Sequence, residues 1–442
     1  MTQTATELAR AVRAGELDPV RLTERVLDGI ETADRVVGAF RKVRHEAVAE
    51  ARELARRADL AGLPLAGVPV AVKDVTEIAG ECASWGSAAL PAQPSTEDSE
   101  LVRRLREAGA VIVGITRVPE LCVWPMTDSP EGIARSPWQP ARSAGGSSGG
   151  SGAAVASGMV PVAHGTDGLG SVRFPSAMCG LVGIKAGADL LGETGWYGMS
   201  AHGSLATTVA DAALLLSVLA AEPDLARVGE PGRLRIAVST EVPLTHAPVP
   251  KPLCDAVDQV ADVLAAAGHH VERATPRYGV EAPLGILGRW FAGPAEQAEG
   301  LDRALFQRRT QAHVKLGRAL RAARLIRPGT KERWLARAEE FFGGYDILLT
   351  PTLATLPPKA ERWHQRSWLA NAIPAIRSAP FAGLWNLAGY PAMSVPAARH
   401  HTGVPLGVQL VAAPRGEARL LALAAQLEAR NPWPRLADTG AR

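Results

Sequence analysis

The chain has 442 residues, 47% apolar and 21% charged, with 44 glycines, 33 prolines and a net charge of +3. That balance suits a soluble globular protein with a large core and many tight turns, not a disordered one. So small a net charge gives no global attraction to nucleic acid or to an anionic membrane, and neither partner is expected.

The first sixty residues read as helices, with Leu8, Val12, Leu17, Leu22 and Val26 at helical spacings and Pro19 suited to a first helical turn. No apolar core stands near the start, so no signal peptide is expected. Gly67–Lys73 (GVPVAVK) is a short β-branched run that reads as a buried strand ending in a lysine. A helix over 98–107 and a strand over 110–115 follow, which begins an α/β alternation. Residues 129–151 read as loop, with a small-residue helix from about Gly152 and a strand over 159–164. An apolar helix is expected over 206–221, and the longest apolar run, 212–221, is too short to span a bilayer. Strand 234–239, helix 256–267 and strand 270–274 repeat the alternation. Residues 280–340 are poorly patterned and rich in Arg, Trp and Phe. Strands over 346–350, 392–396 and 406–411 and a helix over 417–430 close the chain.

No repeat, low-complexity tract or linker interrupts this order, so one domain over 1–442 is expected. The basic stretch from Arg303 to Arg337 reads either as a solvated helix face or as a lid that attracts acidic substrates. Cys82, Cys122, Cys179 and Cys254 match no CxxC or zinc spacing and suggest reduced thiols in a cytoplasmic protein.

Three segments carry possible chemistry. Lys73 ends an apolar strand; burial there would lower its pKa and make it a base, although a strand-end lysine is also commonly a surface residue. AGGSSGGSG (144–152) lacks the Gly-Lys of a phosphate loop, and the prolines before it exclude the strand that a nucleophile elbow needs. A flexible linker and a catalytic serine loop remain. GTDGLGSVRFP (165–175) places a serine after a glycine-rich turn whose N–H groups could converge on an anion, as acyl transfer requires. Read alone, it is equally a structural turn.

Taken together, GVPVAVKD, GGSSGGSG and GTDGLGSVRFP resemble the hallmark motifs of the amidase signature family, with Ser147 and Ser171 suitably spaced. REAGAVIVGITRVPEL, SPWQPARSAGGSSGG, YDILLTPT, NLAGYPAMSVP and GVPLGVQLV are each similar to family segments in the family's order. The resemblance implies one large α/β domain: a mixed, twisted central sheet covered by helices on both faces, N-terminal helices (1–60) packed on it, and a variable, lid-like helical region (280–340). It implies Ser171 as nucleophile, Ser147 as relay on a cis peptide bond, and Lys73 as base. Backbone N–H groups of Gly168, Leu169, Gly170 and Ser171 would form the oxyanion hole, braced by Asp167 and Arg173. Leu169 stands where the family commonly has glycine, and a positive φ there would strain it.

The reaction expected is hydrolysis of an amide through an acyl-enzyme, with no metal or organic cofactor. Leu121, Cys122, Trp124 and Met126 are pocket candidates that favour an apolar or aromatic small-molecule amide, or else plain core residues. Ester cleavage, the glutaminase subunit of a tRNA-dependent amidotransferase and a degenerate binding homologue are the alternatives. A homodimer is compatible with the sequence.

Overall fold

A computed structural model describes residues 2–192, 195–243, 245–327 and 329–437. Its centre is one sheet of eleven strands. In chain order these are Phe40–Val43 (β1), Pro69–Lys73 (β2), Val111–Thr116 (β3), Val162–Asp167 (β4), Val182–Lys185 (β5), Ala201–Ala206 (β6), Arg235–Val238 (β7), His270–Arg273 (β8), Ile347–Pro351 (β9), Ala392–Arg399 (β10) and Pro405–Ala412 (β11). Their spatial order is β1-β3-β2-β4-β6-β5-β10-β11-β9-β7-β8. Pairs β2/β3, β2/β4, β7/β9 and β7/β8 are parallel and the rest antiparallel, so the sheet is mixed. All five residues of β2 and all six of β3 are buried, as continuous apolar runs require when helices cover both faces.

The covering helices are Ala5–Arg13 (α1), Pro19–Val37 (α2), Ala47–Ala55 (α3), Glu100–Glu107 (α4), Gly149–Ala156 (α5), Arg173–Cys179 (α6), Ala188–Leu191 (α7), Val209–Ala220 (α8), Lys251–Ala266 (α9), Glu281–Gln297 (α10), Arg308–Ala322 (α11), Gly329–Gly344 (α12), Trp368–Ser378 (α13), Gly383–Ala388 (α14) and Glu417–Arg430 (α15). Local signals explain several ends. Thr4 and Glu7 form a capping box on α1. Asp18 caps α2, which Pro19 opens and left-handed Gly38 closes.

Helix α5 is buried at every position. A Cβ at Gly150 would collide with the Ala39 carbonyl and the Arg117 backbone, so only glycine lets this helix cross the interior. The same closeness explains why 144–152 is ordered and not a flexible linker.

The structure corrects several expected boundaries. Strand β1 interrupts the N-terminal helices. Helix α5 starts at Gly149, and two short hairpins occupy 128–143. Strand β4 runs three residues later than expected and carries Asp167. Strands β5 and β6, which lie mid-sheet, had no clear signal: one is four residues long and the other, AHGSLA, has no β-branched residue. Residues 280–340 form three helices, α10 to α12. Their pattern was obscured because α11 buries Arg309, Thr310, His313, Val314 and Gly317, a mostly polar face. No helix among the described residues is long and apolar enough to cross a membrane.

Candidate active site

Three chain segments converge at one end of the sheet: the end of β2, the loop entering α5, and the loop between β4 and α6. Lys73 is wholly buried. Its Nζ lies 2.7 Å from Ser147 Oγ, 2.7 Å from Thr166 Oγ1 and 3.2 Å from the Thr166 carbonyl oxygen. The Gly146–Ser147 peptide bond is cis, as the resemblance implied. The Ser148 N–H donates to the Ser171 carbonyl at 3.1 Å, which ties the two serine loops together. Ser171 is partly exposed and lines a cavity of about 660 Å³.

Burial pushes the Lys73 ammonium below the ordinary lysine range, while the Cys122 thiol and the Asp167 carboxylate pull the other way. The hydrogen-bond inventory fits the neutral amine. It has two N–H donors and one lone pair. The Thr166 carbonyl can only accept, Thr166 Oγ1 can take the second N–H, and the lone pair then faces the Ser147 hydroxyl.

Asp167 and Arg173 are both fully buried and paired at 2.8 Å. The Asp167 carboxylate also accepts from the N–H groups of Gly170 and Val172 at 2.6 and 3.2 Å and from Asn386 Nδ2 at 3.0 Å. Burial works against this carboxylate, but Arg173 and Asn386 outweigh it and hold its pKa well below the usual range. Arg173 reaches on to Gln409 Oε1 and Asn386 Oδ1, both at 2.6 Å, and to the Ala382 carbonyl at 3.1 Å. The loop is therefore fixed by a fully paired polar network.

That network corrects one expectation. The Gly170 N–H is already donated to Asp167, so it is not available to a substrate oxygen. Among the described residues, the N–H groups of Gly168, Leu169 and Ser171 have no protein acceptor. The strain expected at Leu169 is absent: the positive φ, +113°, falls on Gly170, and Leu169 keeps an ordinary backbone.

The cavity wall is apolar. Leu169, Phe174, Trp196, Ile286, Trp290 and Leu384 line it, and Arg377 is the only charged lining residue among the described residues. Of the four pocket candidates, Cys122 and Trp124 line it, while Leu121 and Met126 do not. Consecutive left-handed residues at Leu121 (φ 49°) and Cys122 (φ 57°) turn the chain so that Leu121 joins the aromatic core instead. Met126 is buried away from the lining. Thr166, Asn386, Gln409 and the α10 and α13 residues were not singled out from the sequence. Thr166, Asn386 and Gln409 do lie inside quoted family segments, so position within a motif was the available signal.

Among the described residues no group of three or more His, Cys, Asp or Glu side chains is placed to hold a metal ion. The four cysteines are unpaired.

A buried lysine, two serine loops and an apolar cavity thus meet on a mixed α/β sheet, and similarity to known proteins places the chain among the amidases. The amidase family matches residues 21–421, and the chain belongs to that family. It is 40% identical to AmiB2 of Mycobacterium tuberculosis, a protein described as an amidase, over 96% of this chain and 95% of that one. It is 32% identical to an acylamidase of Rhodococcus erythropolis, over 97% and 95% of the two chains. Its fold matches that of a 6-aminohexanoate cyclic dimer hydrolase solved with substrate, with a TM-score of 0.88, 28% identity, and coverage of 98% and 97%. The protein is thus an enzyme of amide hydrolysis.

Proposed function

We propose that the chain cleaves a small, largely apolar linear amide through a Ser171 acyl-enzyme. The observation that carries this reading is the 2.7 Å contact between the buried Lys73 amine and Ser147 Oγ, directly behind the cavity that Ser171 lines.

Neutral Lys73 takes the Ser147 proton as Ser147 takes the proton of Ser171. Ser171 Oγ attacks the amide carbon and its π electrons move to oxygen. The oxyanion sits against the free N–H groups of Gly168, Leu169 and Ser171. As the C–N bond breaks, the proton returns through Ser147 to the leaving nitrogen. Water then attacks the ester by the same route, which restores Ser171. Asp167 and Arg173 touch no substrate in this scheme; they position the loop. The apolar wall favours an aliphatic or aromatic acyl group.

Intact-protein mass spectrometry after treatment with a fluorophosphonate tests the nucleophile. One adduct on the wild type, mapped to Ser171 and absent from Ser171→Ala, is the expected result. An adduct that persists in the variant would remove Ser171 from this role.

A further inference from the structure

Ten large apolar side chains are exposed among the described residues, and their placement is uneven. Val280, Leu284 and Leu287 lie on one face of α10 and its start, spaced i, i+4, i+7; Leu369, Ile373 and Ile376 repeat the spacing on α13. Five of these six are 50–63% exposed and Leu287 is 37% exposed. Both helices also line the cavity, through Pro283, Ile286 and Leu287 on one side and Ala375, Ile376 and Arg377 on the other. The two apolar stripes therefore flank the cavity mouth and continue into it.

A third exposed segment joins them. A Cβ at Gly288 would lie 3.9 Å from Ile326, which places the α11–α12 connection against α10 beside Leu287. Leu325 is 53% exposed there, between exposed Arg324 and Arg327. Arg324, Arg327 and Arg377 form no ion pair among the described residues. Of the acids on or beside these helices, Glu281 pairs with Arg337 and Glu299 with Arg321, while exposed Glu332 forms no ion pair among the described residues. The apolar rim thus carries a collar of three arginines that form no ion pair among the described residues.

We infer that this rim docks the enzyme on an anionic lipid surface, with the α10 and α13 stripes seated among acyl chains and the arginine collar on the head groups. Apolar side chains beside unpaired arginines are what an interfacial, non-spanning contact requires. A second copy of the chain fits less well, because pairing these rims would bring two arginine collars together. Docking would place the cavity mouth against the bilayer, so that a lipophilic amide passes from lipid to Ser171 without crossing water. Only this last consequence rests on the proposed reaction; the docking does not. The small net charge of the whole chain conceals the local asymmetry.

The test is flotation with vesicles of phosphatidylcholine alone and of phosphatidylcholine mixed with phosphatidylglycerol, using wild type and Ser171→Ala. Both proteins should bind the mixed vesicles, and salt should weaken the binding. Leu284→Gln/Ile373→Gln should bind about a hundredfold more weakly, from two lost apolar insertions. Arg324→Gln/Arg327→Gln should lose about tenfold on the mixed vesicles only. Neither pair lines the cavity, so melting temperature and hydrolysis of a small soluble anilide should be unchanged. Absence of wild-type binding to the mixed vesicles would overturn the inference. So would folded variants that bind as wild type does, or a wild-type dimer that Leu284→Gln/Ile373→Gln makes monomeric. Because Ser171→Ala is included, loss of docking and loss of catalysis are read separately.

Discussion

The floor and the roof of the cavity are built on opposite principles. The floor is polar and saturated: Lys73, Ser147, Thr166, Asp167, Arg173 and Gln409 hold one another at the end of the sheet, and Asn386 joins them from α14. The roof, contributed by α10 to α14, is apolar and aromatic and is exposed along its rim. Under the proposed reaction, chemistry demands fixed positions, and the floor binds its groups to several partners each. Entry of the apolar amide proposed would demand an apolar surface, and the roof leaves some of it uncovered. Floor substitutions should therefore abolish function or stability, and roof substitutions should retune selectivity.

The largest effect expected is on turnover. Ser171→Ala should lower kcat by at least about 10⁴-fold with the fold intact, measured on an aryl amide. Lys73→Ala should cost several orders of magnitude near neutral pH. In the wild type, kcat/KM should rise with pH as Lys73 loses its proton, with a midpoint below the ordinary lysine range because burial lowers it. A profile flat through that range would remove Lys73 as the base.

Next comes stability. Arg173→Met would strand the Asp167 carboxylate in the interior, and denaturant unfolding should show a loss of about 3–5 kcal/mol. A loss below 1 kcal/mol would mean that the floor is not held by this pair.

A smaller effect is expected from the roof. Ile286→Ala enlarges the cavity wall away from the reacting atoms. It should change the preference between long and short acyl groups by about tenfold and leave kcat for a small amide near wild type. An equal fall in kcat for every amide would erase the proposed division between floor and roof.

The smallest effect is a pH dependence in the roof. His313 is buried; its Nε2 lies 2.9 Å from the Trp290 carbonyl and its Nδ1 accepts from Trp368 at 3.2 Å, so α11 links α10 to α13. Burial pushes its pKa down to about 4 from an ordinary value of 6.5. The neutral ring is thus favoured in the folded state, and the unfolded chain binds more protons. Its contribution is complete above about pH 6.5 and is lost as pH falls through 4. Melting temperature should fall over that window, and His313→Gln should flatten the fall. An identical slope in the variant would assign the loss to other groups, with His202, also lowered to about 4, next in line.

The floor was more legible in the sequence than the roof, for physical reasons. Lys73, Ser147, Asp167, Ser171 and Arg173 each lie in a short segment whose glycines and order carry the signal. Asn386 and Gln409 complete the same network from more than two hundred residues later, and no local pattern linked them to Asp167. In the roof, α11 buries an arginine paired with Asp128 and a histidine held by two tryptophans, so its inner face does not read as apolar. Within 121–126, Cys122 and Trp124 line the cavity and Leu121 does not, because two left-handed residues reset which side chains face inward.

Leu169 joins the two regions. Its N–H belongs to the loop proposed to hold the oxyanion, and its side chain lines the cavity and reaches the roof, where a Cβ at Gly383 would lie 2.9 Å from Cδ2. Under the proposed mechanism, the residue whose side chain would touch the acyl group is therefore the residue whose backbone would receive the developing charge. A poorly fitting acyl group would not simply bind less well; it would shift the leucine and detune the electrostatics of the reaction itself. Selectivity in such an enzyme is expressed in the chemical step, and variants at 169 would trade substrate range against rate and not adjust either alone.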